Sequence, residues 1–153
     1  MPKMWMLIGV PASGKSTYRQ TLPADATVLS TDDRIEVIAT ALGKTYSEVF
    51  RDHIGQAEKD MYQQAMQAFA RGDDVIWDQT NLTKKTRAKK LIMVPDEYEK
   101  IGVYFSTPAH DEHKRRLDGR KGKVIPPNVM MGMVSQLQAP TKDEGFDRII
   151  SAV

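Results

Sequence analysis

Eight consecutive residues near the amino end, Gly9-Val10-Pro11-Ala12-Ser13-Gly14-Lys15-Ser16, restrict what this chain can fold into more than any other feature. They fill the pattern G-x-x-x-x-G-K-[ST], which a chain of this size matches by chance roughly once in two hundred. The run follows the apolar stretch from Met4 and leads into residues of helical composition, the setting the chemistry requires. Its glycines let the backbone curl so that successive N–H groups face inward, and the helix behind adds the positive end of its dipole, making an anion cradle. Lys15 is placed to reach β- and γ-phosphates, and the Ser16 hydroxyl suits Mg²⁺. Gly9, Pro11, Ala12, Ser13, Gly14, Lys15, Ser16 and Thr17 are therefore expected to hold ATP, or another nucleoside triphosphate, with Mg²⁺. A plain glycine turn with an exposed lysine is the bland alternative, which this context disfavours.

Around the loop, short apolar runs alternate with longer amphipathic ones, the pattern of an α/β fold with a parallel sheet covered by helices on both faces. Strands are predicted at residues 4–9, 27–31, 75–78, 102–106 and, last, 148–152. Helices are predicted at 15–21, 33–41, 45–71, 84–93 and 127–137, with another opened by Thr107-Pro108. The longest starts at the capping box Thr45-Tyr46-Ser47-Glu48 and stops at Gly72. Its apolar stripe, Phe50, Ile54, Ala57, Met61, Ala65 and Phe69, keeps helical spacing. With 153 residues and no linker or repeat, one domain is expected over 1–153.

The chain has no cysteine, which rules out disulfides, thiolate metal sites and a thiol nucleophile. The apolar amino-terminal run is too short to span a bilayer, no membrane association is expected, and the cytosol is the default compartment. A net charge of +2 does not by itself call for a polyanion, but the cations cluster. Lys84, Lys85, Arg87, Lys89 and Lys90 read as a solvated helix face or a nucleic-acid contact. Lys114, Arg115, Arg116, Arg120, Lys121 and Lys123 precede Pro126-Pro127 in a stretch that reads as a lid, about 109–127, with Arg116 and Arg120 on the phosphates. His53 and His113 read as helix-surface residues.

A phosphotransferase also needs a carboxylate beside its acceptor hydroxyl. Asp32 and Asp33 follow the second apolar run, at the strand end where such folds collect their sites. One of the two, or Thr31, can instead cap the next helix, which leaves open which aspartate is the base. Arg34 is a candidate for binding acceptor phosphate. Asp78, ending the run Val75-Ile76-Trp77, is the natural partner of Ser16 at Mg²⁺.

Taken together, these segments resemble the kinase domain of bacteriophage-type polynucleotide 5'-hydroxyl kinases. The resemblance rests on residues 9–17, on Ser30-Thr31-Asp32-Asp33-Arg34, on Asp78-Gln79-Thr80-Asn81-Leu82, and on residues 115–130 with Arg120 and Val124-Ile125-Pro126. It implies a P-loop kinase fold, a parallel β-sheet sandwiched by helices with a helical lid. It further implies Lys15 and Ser16 on ATP and Mg²⁺, Asp32 as general base, Arg120 as the lid arginine, and Thr80 and Asn81 shaping the site floor. The acceptor it implies is a 5'-OH end of DNA or RNA. The family carries an arginine three residues after its base; here that position is Ile35, and Arg34 comes early. Two other classes fit the same residues: a small-molecule kinase acting on a sugar acid, nucleoside or antibiotic hydroxyl, and a non-catalytic nucleotide-binding module. Stacking of terminal bases on Tyr46, Phe50 or Tyr104 is an option, though core packing explains such aromatics more cheaply. Pro140 is a candidate for lining the adenine site and Phe146 reads as core.

Overall fold

A strand whose residues are apolar at both parities cannot sit on a surface, because successive side chains point to opposite faces. In the computed structural model, which describes residues 1–152, the first strand β1 (Lys3–Ile8) is the centre of the sheet. Met4, Met6 and Ile8 enter one core layer with Trp77, Phe69 and Tyr98; Trp5 and Leu7 enter the other with Ile76, Ile101 and Phe105. Full burial of such a side chain contributes about 1.5–3 kcal/mol, so the two faces of the sheet supply most of the rigidity on which the site rests.

The remaining elements follow in the order α1 (Lys15–Arg19), β2 (Thr27–Leu29), α2 (Thr31–Leu42), α3 (Tyr46–Arg71), β3 (Val75–Asp78), α4 (Lys84–Leu91), β4 (Glu99–Phe105), α5 (His110–Asp118), α6 (Pro127–Gln136), a 3₁₀ turn (Lys142–Glu144) and β5 (Arg148–Ala152). Among the described residues the sheet has five strands in the order β2-β3-β1-β4-β5, and every pairing is parallel. The predicted class is therefore the observed one. From β1 the chain passes over to the edge strand β2, returns inward to β3 beside β1, and then crosses to β4 and β5 on the other side. The crevice beyond the carboxyl end of β1 is the switch point where ligands bind in open α/β sheets, and the glycine loop lies there. Among the described residues no helix is long and apolar enough to cross a membrane.

Several expectations need correction. The fourth strand begins three residues earlier than predicted, at Glu99. The helix expected to open at Thr107-Pro108 starts only at His110, because Ala109 before it is still non-helical, with φ −54° and ψ 147° and no side-chain cap. Phe50 is 39% exposed, and Val49 takes its place in the core. The basic run on α4 is not a solvated face throughout: Arg87 and Lys90 are buried. Arg87 forks onto Glu144 at 2.8 and 3.1 Å and onto the carbonyls of Asn81 and Leu82 at 2.8 and 3.2 Å. His113 is also buried rather than at the surface. Phe146 is core, as expected.

Candidate active site

The loop between β1 and α1 is held in a shape most residues resist. Gly14 has φ +111° and Ala12 φ +61°, in the left-handed region that glycine enters freely. Gly9 is required for a different reason: a Cβ there would lie 2.7 Å from Ser13 Oγ and 2.9 Å from Phe105 Cβ. Its N–H donates to Thr80 O at 3.0 Å, tying the loop to the segment after β3. From the other side α5 braces the loop, with His113 Nε2–H donating to Pro11 O at 2.8 Å and Arg116 Nη1 to Ala12 O at 3.3 Å.

Lys15 Nζ donates to Gly9 O at 2.8 Å and Val10 O at 2.9 Å. Burial lowers its pKa to about 8, against the pull of Asp78 and Asp32, with Arg120 adding to the lowering. Two buried polar atoms here have no partner among the described residues, Ser13 Oγ and Arg120 Nη1. Both are donors. A cradle with orphaned donors and a desolvated ammonium fits a polyphosphate, because an anion satisfies all of them at once. For Mg²⁺ the loop offers the Ser16 hydroxyl, and Asp78 lines the same cavity. One carboxylate and one hydroxyl suit an ion that keeps its other positions for phosphate and water.

Ser30 caps α2, its hydroxyl accepting from Asp33 N at 3.2 Å, so neither aspartate is spent on capping. The two then diverge. Asp33 is locked to Arg19 by contacts of 2.6 and 3.3 Å, and Arg19 reaches Asp78 at 2.9 Å, bridging the two carboxylates. Asp32 has no ion-pair partner among the described residues; one of its oxygens accepts from the Tyr46 hydroxyl at 2.5 Å. Burial, then Asp32's hydrogen bond and charge, raise the Tyr46 pKa well above its ordinary value, so the phenol stays a donor.

Two adjoining cavities share Asp32, Asp78, Gln79, Thr80, Arg120 and Lys123. The larger, about 1060 Å³, covers the loop and is also lined by Asp33, Arg19, Arg116, Pro108 and Ala109. The smaller, about 500 Å³, opens between α3 and α6 and is walled by Tyr46, Phe50, Ile54, Ile125, Val129 and Met133, with Glu58 among them. Lys15, Asp32, Asp33, Ser16, Asp78, Thr80, Arg116 and Arg120 are thus brought together. Arg34 is not: it faces Asp60 at 3.8 Å, away from both cavities. Asn81 is buried behind the floor, donating to Leu7 O at 2.8 Å and accepting from the buried Lys90, which also donates to Gln79 Oε1 at 2.7 Å. Pro140 lines neither cavity.

Sequence reading missed Arg19, His113 and Lys90 as site supports and gave Tyr46 no polar role. Arg19 had a usable signal, since it stands four residues after Lys15 on the same helix face. The others had none, because their partners lie far away in the chain.

An all-parallel sheet with an anion cradle at its switch point and Arg116 and Arg120 lining the cavity above it defines a P-loop kinase-like protein, a fold built for binding nucleoside triphosphates. The chain belongs to the AAA domain family, which matches residues 4–140. No curated protein is significantly similar to it in sequence. Among solved structures it resembles a candidate kinase of Chloroflexus aurantiacus, at 20% identity and a TM-score of 0.72 over 99% of this chain and 84% of that one. It also resembles a chain of the Pnkp1/Rnl/Hen1 RNA repair complex, at 21% identity and a TM-score of 0.67, over 89% of this chain but only 44% of that one. A gluconokinase from Sinorhizobium meliloti 1021 matches at 15% identity and a TM-score of 0.55, over 98% of this chain and 81% of that one. At such identities the likeness establishes the fold.

Proposed function

We propose that the chain is an ATP-dependent, Mg²⁺-requiring phosphotransferase that passes the γ-phosphate to a hydroxyl, with the 5'-OH end of a nucleic acid strand as acceptor. The observation that carries the reading is the setting of Asp32. It lines both cavities and has no salt-bridge partner among the described residues, whereas Asp33 and Asp78 are paired with Arg19. Asp32 is therefore the general base, and Asp33 holds Arg19 in place.

In the reaction, the acceptor enters the smaller cavity and gives its proton to Asp32 as its oxygen attacks the γ-phosphorus. The bond to the β-γ bridging oxygen breaks on the opposite side, releasing ADP without a covalent enzyme intermediate. Lys15, the loop N–H groups and Arg120 neutralise charge on the transferring group. Ser16 and Asp78 would hold Mg²⁺, which would supply further neutralisation of the phosphate charge. The apolar walls at Tyr46, Phe50 and Ile125 accommodate the flat face of a terminal base.

A compact small-molecule acceptor is the second reading, favoured by one feature. Arg34 is turned to Asp60, and Glu58 lines the smaller cavity, so negative charge stands where a strand's phosphates would run. The deciding experiment offers Mg²⁺ and γ-labelled ATP with 5'-OH oligonucleotides, 5'-phosphorylated controls, nucleosides and sugar acids to the wild type and to Asp32→Ala. Label on 5'-OH strands alone, reduced about 10²–10⁴-fold in the variant, is the expected result. Label on a small molecule only selects the second reading. ATP binding without transfer to any hydroxyl reduces the chain to a nucleotide-binding module.

A further inference from the structure

We infer that Tyr46 is a positioning residue that ties the proposed base to the seating of the lid. The inference rests on the reading of Asp32 as base and goes beyond it. Tyr46 is the first residue of α3, fixed by the capping box of Thr45 and Glu48. Its hydroxyl donates to Asp32 Oδ1 at 2.5 Å, leaving the other carboxylate oxygen for an acceptor proton. Its ring packs on Phe50 at a centroid distance of 5.7 Å, and Lys123 Nζ sits over that ring at 4.7 Å. Lys123 reaches on to Glu36 at 2.5 Å, on the same helix as Asp32.

The lid backbone is seated on the same spot. Ser47 N donates to Gly122 O at 3.1 Å and Val124 N to Ser47 Oγ at 3.0 Å. Gly122 has φ +73°, and a Cβ there would come within 3.0 Å of Thr45 Cβ, so the turn fits only with glycine. Arg120 is two residues ahead of that turn. One aromatic side chain therefore touches the base through its hydroxyl and the lid through its face. Seating the lid places Arg120 at the phosphates and holds the Tyr46 ring, and the ring holds Asp32. A base so constrained is oriented for transfer only when the lid is down, which discourages loss of the γ-phosphate to water in the open state.

The two contacts separate by mutation. Tyr46→Phe keeps the ring and removes the hydroxyl; Tyr46→Leu and Lys123→Met remove the ring-to-lid contact. Two readouts are needed: single-turnover release of γ-phosphate, to 5'-OH oligonucleotide and to water, and trypsin nicking within the lid at Arg120, Lys121 and Lys123 in the presence of Mg²⁺-ATP. Tyr46→Phe is expected to lower the rate to either acceptor about 10- to 100-fold, with the KM for ATP within about two-fold of wild type and nicking unchanged. Tyr46→Leu is expected to raise nicking at least about five-fold, as is Lys123→Met at those sites it retains. Wild-type rates in Tyr46→Phe, or wild-type nicking in Tyr46→Leu, overturn the inference. If the proposed acceptor is wrong, oligonucleotide transfer is absent already in the wild type, while hydrolysis and nicking still report on Tyr46.

Discussion

Replacing Arg87 by methionine is expected to cost about 3–5 kcal/mol, the range for removing one partner of a buried ion pair. Arg87 is fully buried, and the side chain of its partner Glu144 is 8% exposed. Four guanidinium hydrogen bonds run from it, two to the carboxylate and two to the carbonyls of Asn81 and Leu82. Methionine fills most of the volume but leaves Glu144 charged, out of water, and supported by the Thr141 N–H at 2.8 Å. A native domain has a total stability of about 5–15 kcal/mol, so the loss is a substantial share of it. At roughly 2–4 °C per kcal/mol, Tm falls by about 6–20 °C. Urea unfolding followed by circular dichroism measures it, with an unchanged slope showing that the native state stays compact. Arg87→Lys recovers little, because an ammonium cannot reproduce the two-pronged geometry. The double variant Arg87→Met/Glu144→Leu removes the stranded charge and is expected to be more stable than Arg87→Met alone. A cost below about 1 kcal/mol for Arg87→Met would refute the reasoning that this pair pins α4 to the carboxyl-terminal turn.

Three further outcomes follow from the site. Gly9→Ala drives a methyl into Ser13 Oγ and Phe105; it is expected to cost about 1–3 kcal/mol and weaken ATP binding by at least about tenfold in calorimetry. His113→Leu leaves the Pro11 carbonyl without its donor and is expected to cost about 1–3 kcal/mol, visible as a lowered melting temperature and a raised KM for ATP. Lys15 and Lys90 both have pKa values lowered to about 8 by burial. Between there and the ordinary lysine value the unfolded chain binds more protons than the folded one, so the ligand-free protein gains stability as pH rises through this window. About 2–3 kcal/mol per lysine is at stake, and urea unfolding at pH 7 and 9.5 tests it, with Lys15→Met expected to remove roughly half of the gain. ATP affinity moves the opposite way, falling as the Lys15 ammonium is lost.

The site was unevenly legible in the sequence. Lys15, Ser16 and the loop glycines were readable because the cradle is local: backbone conformation, lysine and helix start lie within one short run, and spacing alone brings them together. Asp78 and the aspartate pair were readable as strand ends, since apolar runs locate the edge of a parallel sheet. What spacing does not carry is which side chain meets which across the sheet. Asp32 and Asp33 are equivalent in sequence and differ only because Arg19 reaches one and Tyr46 the other.

Arg34 shows the same limit from the other side. Adjacency to the aspartates suggested an acceptor contact, but consecutive helical residues point about 100° apart, and its turn of α2 faces Asp60 on α3. Charge on α4 misled for a related reason. A run of lysines and arginines reads as solvated until a distant carboxylate or a set of carbonyls is found to receive them, as Glu144 and Asn81 do for Arg87 and Lys90. The sequence by itself determined the anion cradle, the parallel sheet and the edge at which the site stands, all consequences of short-range pattern. Only the tertiary structure decided the free carboxylate, the seat of residues 122–124 on α3 and the buried cations, because each depends on a partner brought from far along the chain, and pairing at that range is fixed by packing.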